Sequence, residues 1–124
     1  MLIKIKTIKD TVEKGFSQKG KFQVKRELNL LEYEYENQQF WFLLDTNIDQ
    51  CRKEEVNFKL GNLKEINAQK IEALFNENFF LIAIDKIEGE LHLLRDMSGV
   101  KTGYYTSFSD ELQISTLVHD LALS

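Results

Sequence analysis

Residues 79–95, FFLIAIDKIEGELHLLR, carry the reading that decides the fold. Phe79 to Asp85 and Glu90 to Arg95 are two short apolar runs, and turn residues around Glu88-Gly89 separate them, which is the pattern of an antiparallel hairpin. Side chains alternate across a strand, so Phe80, Ile82 and Ile84 share one face. Working outward, Tyr104 to Phe108 and Leu112 to Ser115 form a second pair about Ser109-Asp110. At least two antiparallel hairpins are therefore expected between residues 79 and 115. Just before them the period changes: Ile71, Leu74 and Phe75 fall at helical spacing, Asn67 is placed to cap the helix, and a helix is expected inside 67–78.

The first half of the chain alternates with period two. Ile3 and Ile5 alternate with Lys4 and Lys6, Phe22 and Val24 with Gln23 and Lys25, and Tyr33 and Tyr35 with Glu32, Glu34 and Glu36. Each reads as a half-buried strand. Gln39 to Leu44 is an aromatic-rich run that fits a strand buried on both faces, entered through a turn at Glu36-Asn37-Gln38. Between 45 and 65 the pattern is weaker; Val56, Phe58 and Leu60 alternate and Gly61-Asn62 breaks the run. The fold class is α+β, rich in antiparallel sheet. Phe80, Ile82, Ile84, Leu91, Leu93, Phe40, Phe42, Tyr33 and Tyr35 are expected in one core or at its edges. No internal repeat or linker divides the chain, so 1–124 reads as a single domain.

With 124 residues, 43% of them hydrophobic, the chain is long enough to bury a core without covalent staples. One cysteine, Cys51, leaves no disulfide framework and no Cys-rich zinc site. The longest uninterrupted apolar run, Phe79 to Ile84, is far short of the ~20 residues that span a bilayer, and the N-terminus lacks a signal peptide's apolar stretch, so a cytoplasmic protein without a membrane span is expected. Charge is uneven. Residues 1–26 hold eight basic and two acidic side chains, a balance of +6, against −10 for the rest. Such a segment either docks an acidic partner or pairs with its own acidic neighbours Glu27, Glu32, Glu34 and Glu36 across strands, and the second is the commoner outcome. A pI near 5.2 and the scarcity of aromatics among the basic residues disfavour nucleic acid.

Four motifs stop short of a chemistry. Gly15 to Lys21 follows the phosphate-loop pattern through its lysine, but Phe22 stands where a hydroxyl must meet magnesium, and a strand pattern follows instead of a helix. A hairpin or loop with two glycines is the better reading. Asp45-Thr46-Asn47-Ile48-Asp49 copies the start of a calcium loop but has Gln50 and Val56 where Gly and a bidentate Glu are required. His92 and His119 are 27 positions apart and have no partner at ligand spacing, so no metal or cofactor is expected. Cys51 becomes a nucleophile only if the fold brings a base to it.

The closing half resembles a known family. Residues 71–123 show a helix with Leu74, a strand Phe80-Leu81-Ile82-Ala83-Ile84-Asp85, a hairpin Gly89-Glu90-Leu91-His92-Leu93-Leu94 ending in Arg95-Asp96, then Gly99-Val100-Lys101, Tyr104-Tyr105, and Leu112-Gln113-Ile114-Ser115 entering a terminal helix. This series resembles the end of the class II glutamine amidotransferase domain found in asparagine synthetases and related amide-forming ATP-dependent ligases, with its Arg-Asp-x-x-Gly-x-Lys-Pro-x-Tyr-Tyr segment. Thr102-Gly103 stands here where the family has Pro-x. The resemblance implies a reduced sandwich of the N-terminal nucleophile (Ntn) hydrolase type, with two face-to-face sheets. An unrelated module would be separated from it by a single sheet with a helix.

The first half departs from the family at the residues of its chemistry. Family glutaminases expose a cysteine after Met removal, whose thiolate attacks while the free α-amine serves as base. Residue 2 here is Leu, Gly61-Asn62 reverses the family's Asn-Gly, and neither an Arg-Gly-Pro-Asp segment nor a synthetase Ser-Gly-Gly loop occurs. The resemblance thus implies a non-catalytic amidotransferase-like domain, without its synthetase domain, that docks on a synthetase domain or subunit or presents substrate to it. Arg95, Asp96, Lys101, Tyr104 and Tyr105 are its candidate binding residues, since Arg and aromatics suit an interface anchor. Two other readings stand beside it: an interaction module that uses the basic N-terminal segment, and a glutaminase that uses Cys51 or a processed terminus.

Overall fold

The computed structural model describes residues 2–28, 32–46, 53–74, 79–95, 104–108 and 110–115. All seven residues of one strand, Phe79–Asp85, are buried, so both of its faces are covered. That strand (β6) pairs antiparallel with Phe40–Thr46 (β5) on one side and with Glu90–Arg95 (β7) on the other, and Glu32–Glu36 (β4) completes a four-stranded sheet in the order β4-β5-β6-β7. Leu2–Thr7 (β1), Ser17–Lys19 (β2), Phe22–Leu28 (β3), Tyr104–Phe108 (β8) and Glu111–Ser115 (β9) form a five-stranded sheet in the order β2-β3-β1-β9-β8. Every pairing in both sheets is antiparallel. The two expected hairpins, β6–β7 and β8–β9, are both present.

The sheets meet face to face. Ile3, Ile5, Val24 and Ile114 of the five-stranded sheet pack with Trp41, Leu43, Phe80, Ile82 and Ile84 of the four-stranded one, and Leu91 and Leu93 lie against them. The opposite face of the four-stranded sheet, with Phe40, Phe42, Leu44, Phe79, Leu81 and Ala83, is covered by two short helices through Val56, Leu60 and Ile71. Three layers result, sheet on sheet on helices. This corrects the single core expected from sequence: Phe80, Ile82, Ile84, Leu91 and Leu93 belong to the inter-sheet core, whereas Phe40, Phe42, Tyr33 and Tyr35 belong to the core under the helices. A strand that is apolar throughout has two faces to bury, and each takes its own covering layer.

The helices are Lys53–Gly61 (α1) and Ala68–Leu74 (α2). The second is the expected one, and Asn67 caps it, its Oδ1 accepting from the backbone N–H groups of Gln69 (2.9 Å) and Lys70 (3.2 Å). The first corrects the weak alternation at Val56, Phe58 and Leu60. Val56 and Leu60 are buried together as an i, i+4 pair, while Phe58 points to solvent at 74% exposure. Tyr33 anchors α1 to the sheet: its hydroxyl bonds the Asn57 side chain and lies 3.2 Å from the Lys53 carbonyl. Burial, with Tyr35 close by, raises its pKa.

Two turns meet at one end of the sandwich. Asp85 closes β6, and its Oδ1 accepts from the backbone of Ile87 (3.1 Å) and Glu88 (3.0 Å) before Gly89, at φ +70°, returns the chain into β7. Gly15 to Phe22, the near phosphate loop, leads into the β2–β3 hairpin, with Ser17 opposite Val24 and Lys19 opposite Phe22. Gly20 at its tip has φ +63°, and a Cβ there would stand 2.7 Å from the Lys86 carbonyl oxygen, so this tip of one sheet nests against the β6–β7 turn of the other. Among the described residues no helix is long and apolar enough to cross a membrane.

Candidate functional site

Register places the candidate residues. In the four-stranded sheet Glu32 lies opposite Asp45, Asp45 opposite Phe80, and Phe80 opposite Arg95. In the five-stranded sheet Leu28 lies opposite Leu2, Leu2 opposite Ser115, and Ser115 opposite Tyr104. Only three residues separate Leu28 from Glu32, which holds the starting residues of those two rows within about 14 Å of each other. Arg95 and the start of β8 therefore lie at the same end of the sandwich. They also share an edge, because β3 faces β4 at one side and the sheets run from there to β8 and β7 respectively. A surface depression lined by Leu91 of β7 together with Ile5 and Leu112 of the other sheet agrees with that alignment.

At this end Arg95 is exposed. Tyr104 and Tyr105 begin edge strand β8, opposite Ser115 and Ile114. Asp96 and Lys101 lie outside the described residues, as do Cys51, His119 and most of the calcium-like segment. Leu2 starts β1 next to β9 and is half-buried. Arg95 thus presents a guanidinium with five donors on edge strand β7. His92 on β7 is 3.1 Å from Glu90 Oε2. Among the described residues no group of three or more His, Cys, Asp or Glu side chains is placed to hold a metal ion.

The opposite edge carries the pairing of the basic segment with its acidic neighbours that the sequence made the commoner outcome. Glu34 and Glu36 of β4 turn toward the other sheet, where Arg26 Nη1 stands 3.6 Å from Glu34 and Lys19 Nζ 2.7 Å from Glu36 Oε1. Lys86 binds the second oxygen of Glu36 at 2.8 Å, and Glu34 Oε2 accepts from the Trp41 indole N–H at 2.7 Å. The basic segment thus pairs with its acidic neighbours, but across the two sheets rather than between strands of one. Farther along, Lys6 pairs with Glu13, which raises the lysine pKa through their hydrogen bond, and Lys9 sits 2.8 Å from Asp110. The signal was the surplus of lysine in residues 1–26 matched by the glutamates of β4.

Glu36 makes this edge sensitive to acid. Burial opposes its ionisation, but hydrogen bonds and charge from Lys19 and Lys86 outweigh that and hold its carboxyl below the ordinary value of 4.5. A carboxylate with a depressed folded-state pKa stabilises the fold above the unfolded value and loses that contribution as pH falls through the folded one. We expect Glu36→Gln to lower stability at neutral pH and to flatten the acid limb of the stability profile below pH 4.5, as read by urea unfolding at a series of pH values. An unchanged acid limb would remove Glu36 from the account.

Comparison of the chain with known protein families, with curated proteins and with solved structures returned no match.

Proposed function

We propose that this chain is a non-catalytic domain of the class II glutamine amidotransferase type, a shortened Ntn-hydrolase-like sandwich. Its role is to dock on an asparagine synthetase-like ATP-dependent amide ligase or to present substrate to it. The observation that carries the proposal is the convergence of Arg95 with the Tyr104-Tyr105 start of β8 at one end and one edge of the sandwich. These residues belong to the segment that resembles the family, and they lie on different sheets. Two antiparallel sheets packed face to face, rather than one sheet with a helix, also support this reading over an unrelated module.

The reading that uses the basic N-terminal segment is weakened by the engagement of Lys6, Lys9, Lys19 and Arg26 with Glu13, Asp110, Glu36 and Glu34 of the same chain. Charge spent internally is not available to steer an acidic partner. The docking reading is tested by Tyr104→Ala, which should weaken association with the amide ligase by about 1–3 kcal/mol, as loss of an interface anchor does. The melting temperature of the free domain should stay nearly unchanged. If it collapses instead, Tyr104 fills the core and the proposed surface is wrong.

A further inference from the structure

The four-stranded sheet has two edge strands, β4 and β7, and they are built differently. β4 carries a glutamate at every second position, with Glu34 and Glu36 turned inward, which guards an edge against pairing with another chain. β7 has neither lysine nor proline, keeps an unbroken register along β6, and is apolar between its charged ends apart from His92. The hydrogen bonds of its neighbours show which of its backbone groups are free. The Lys86 N–H donates to Gln39, beside β5, at 2.7 Å, and the Asp85 carbonyl accepts from Gly89 at 2.8 Å, so Asp85, Ala83 and Leu81 face β7. Ladder bonds alternate along an antiparallel pair, so the residues opposite Ala83 and Leu81, His92 and Leu94, turn their backbone groups to β6. Leu91, Leu93 and Arg95 then aim their N–H and C=O groups outward, where no described strand meets them.

The space beside that edge matches it. Among the described residues lining a groove of about 220 Å³, Leu91 alone comes from the four-stranded sheet, against Ile5, Phe22 and Leu112 of the other, so the groove opens on the outer side of β7. Leu91, Phe22 and Leu112 are each only partly buried. Beyond β9 the five-stranded sheet has one more strand, β8, and a strand added to β7 would lie over it. At the far end of β7, Arg95 is exposed and makes no ion pair with a described residue.

We propose that β7 receives an extended peptide segment of a partner protein as a fifth strand, antiparallel like every other pairing in the sheet. The segment carries an acidic side chain opposite Arg95 and small apolar side chains opposite Leu93 and Leu91. Main-chain hydrogen bonds to these three residues hold such a strand, and its alternate side chains set the selectivity. Residues directly opposite share a face, so the carboxylate meets the guanidinium and the apolar side chain opposite Leu91 enters the groove. Strand addition takes its site from the docking reading, on which it rests, and adds how a partner is held there.

The probe is acetyl-Thr-Glu-Thr-Val-Thr-Val-Thr-amide, whose Glu and two Val fall opposite Arg95, Leu93 and Leu91 in an antiparallel ladder. Amide NMR spectra of the full chain follow the titration. The Leu91 and Leu93 amides should shift saturably below about 1 mM peptide and exchange with solvent more slowly once it is bound. N-methylation of both Val nitrogens, which face β7, should weaken binding at least ~10-fold, while methylation of the two Thr nitrogens that precede them, which face away, should leave it as it is. Lys in place of the Glu should weaken binding about 3-fold or more, and Arg95→Glu should reverse that preference. No saturable shift up to about 1 mM, or equal effects of the two methylation patterns, overturns the proposal. So do Leu91 and Leu93 amides already protected in the free chain, since a second copy or another segment of this chain would then hold the edge. Strand addition alone fails if the peptide does not bind while Tyr104→Ala still weakens association with the amide ligase. If the peptide binds and Tyr104→Ala changes nothing, strand addition stands and the ligase reading fails.

Discussion

Leu81→Lys and Ile82→Lys should each unfold the protein, although the two side chains point to opposite sides of β6. Both are fully buried, Leu81 under the helices and Ile82 between the sheets. Truncation of a buried Leu or Ile to alanine costs about 2–5 kcal/mol. A buried unpaired ammonium adds several more, against a total stability of about 5–15 kcal/mol for a domain of this kind. In an ordinary two-layer sandwich one of the two positions would face water and tolerate lysine. Thermal unfolding followed by circular dichroism is the check, with Leu81→Ala and Ile82→Ala as milder versions expected to lose about 2–5 kcal/mol each. A folded Leu81→Lys would mean that the helices do not cover the sheet.

Trp41→Ala is the second large effect, about 3–5 kcal/mol by urea unfolding. The indole is completely buried in the inter-sheet core and donates its N–H to Glu34 at 2.7 Å, so truncation opens a cavity and also strips the carboxylate of a partner. Trp41→Phe separates the two contributions. It keeps an aromatic ring in the core but abolishes the hydrogen bond, worth about 1.5–3 kcal/mol to a charged acceptor. If Trp41→Ala cost under about 1 kcal/mol, the side chain would not be at the centre of the sheet-to-sheet contact.

Local pattern carried most of the strands. Phe79 to Asp85, Glu90 to Arg95 and Tyr104 to Phe108 have the bounds that alternation and turn residues assign them, and Asn67 caps its helix as its position before the 3.6 period implied. The first helix escaped because Val56 and Leu60 satisfy period two and an i, i+4 helix equally well, and the exposed Phe58 between them completes a false alternation. Which sheet a strand joins is a non-local property. For that reason the glutamates of β4 read as partners of the basic segment without revealing that they pair across the inter-sheet gap. Of the candidate site, Arg95, Tyr104 and Tyr105 fall at one end of the fold, a convergence that depends on register and on the short link between Leu28 and Glu32, neither of which is written in the Arg95–Tyr105 segment itself.

The central claim is an amidotransferase-like sandwich without glutamine hydrolysis, and ammonia release from L-glutamine by the purified chain, with intact mass recorded on the same sample, tests it most directly. Leu2 is a poor second residue for Met removal and offers no nucleophile, so the account predicts retained Met1 and no ammonia above the rate of heat-inactivated protein. Glutamine-dependent ammonia release that disappears in Cys51→Ala would contradict it, and so would release that accompanies a processed N-terminus.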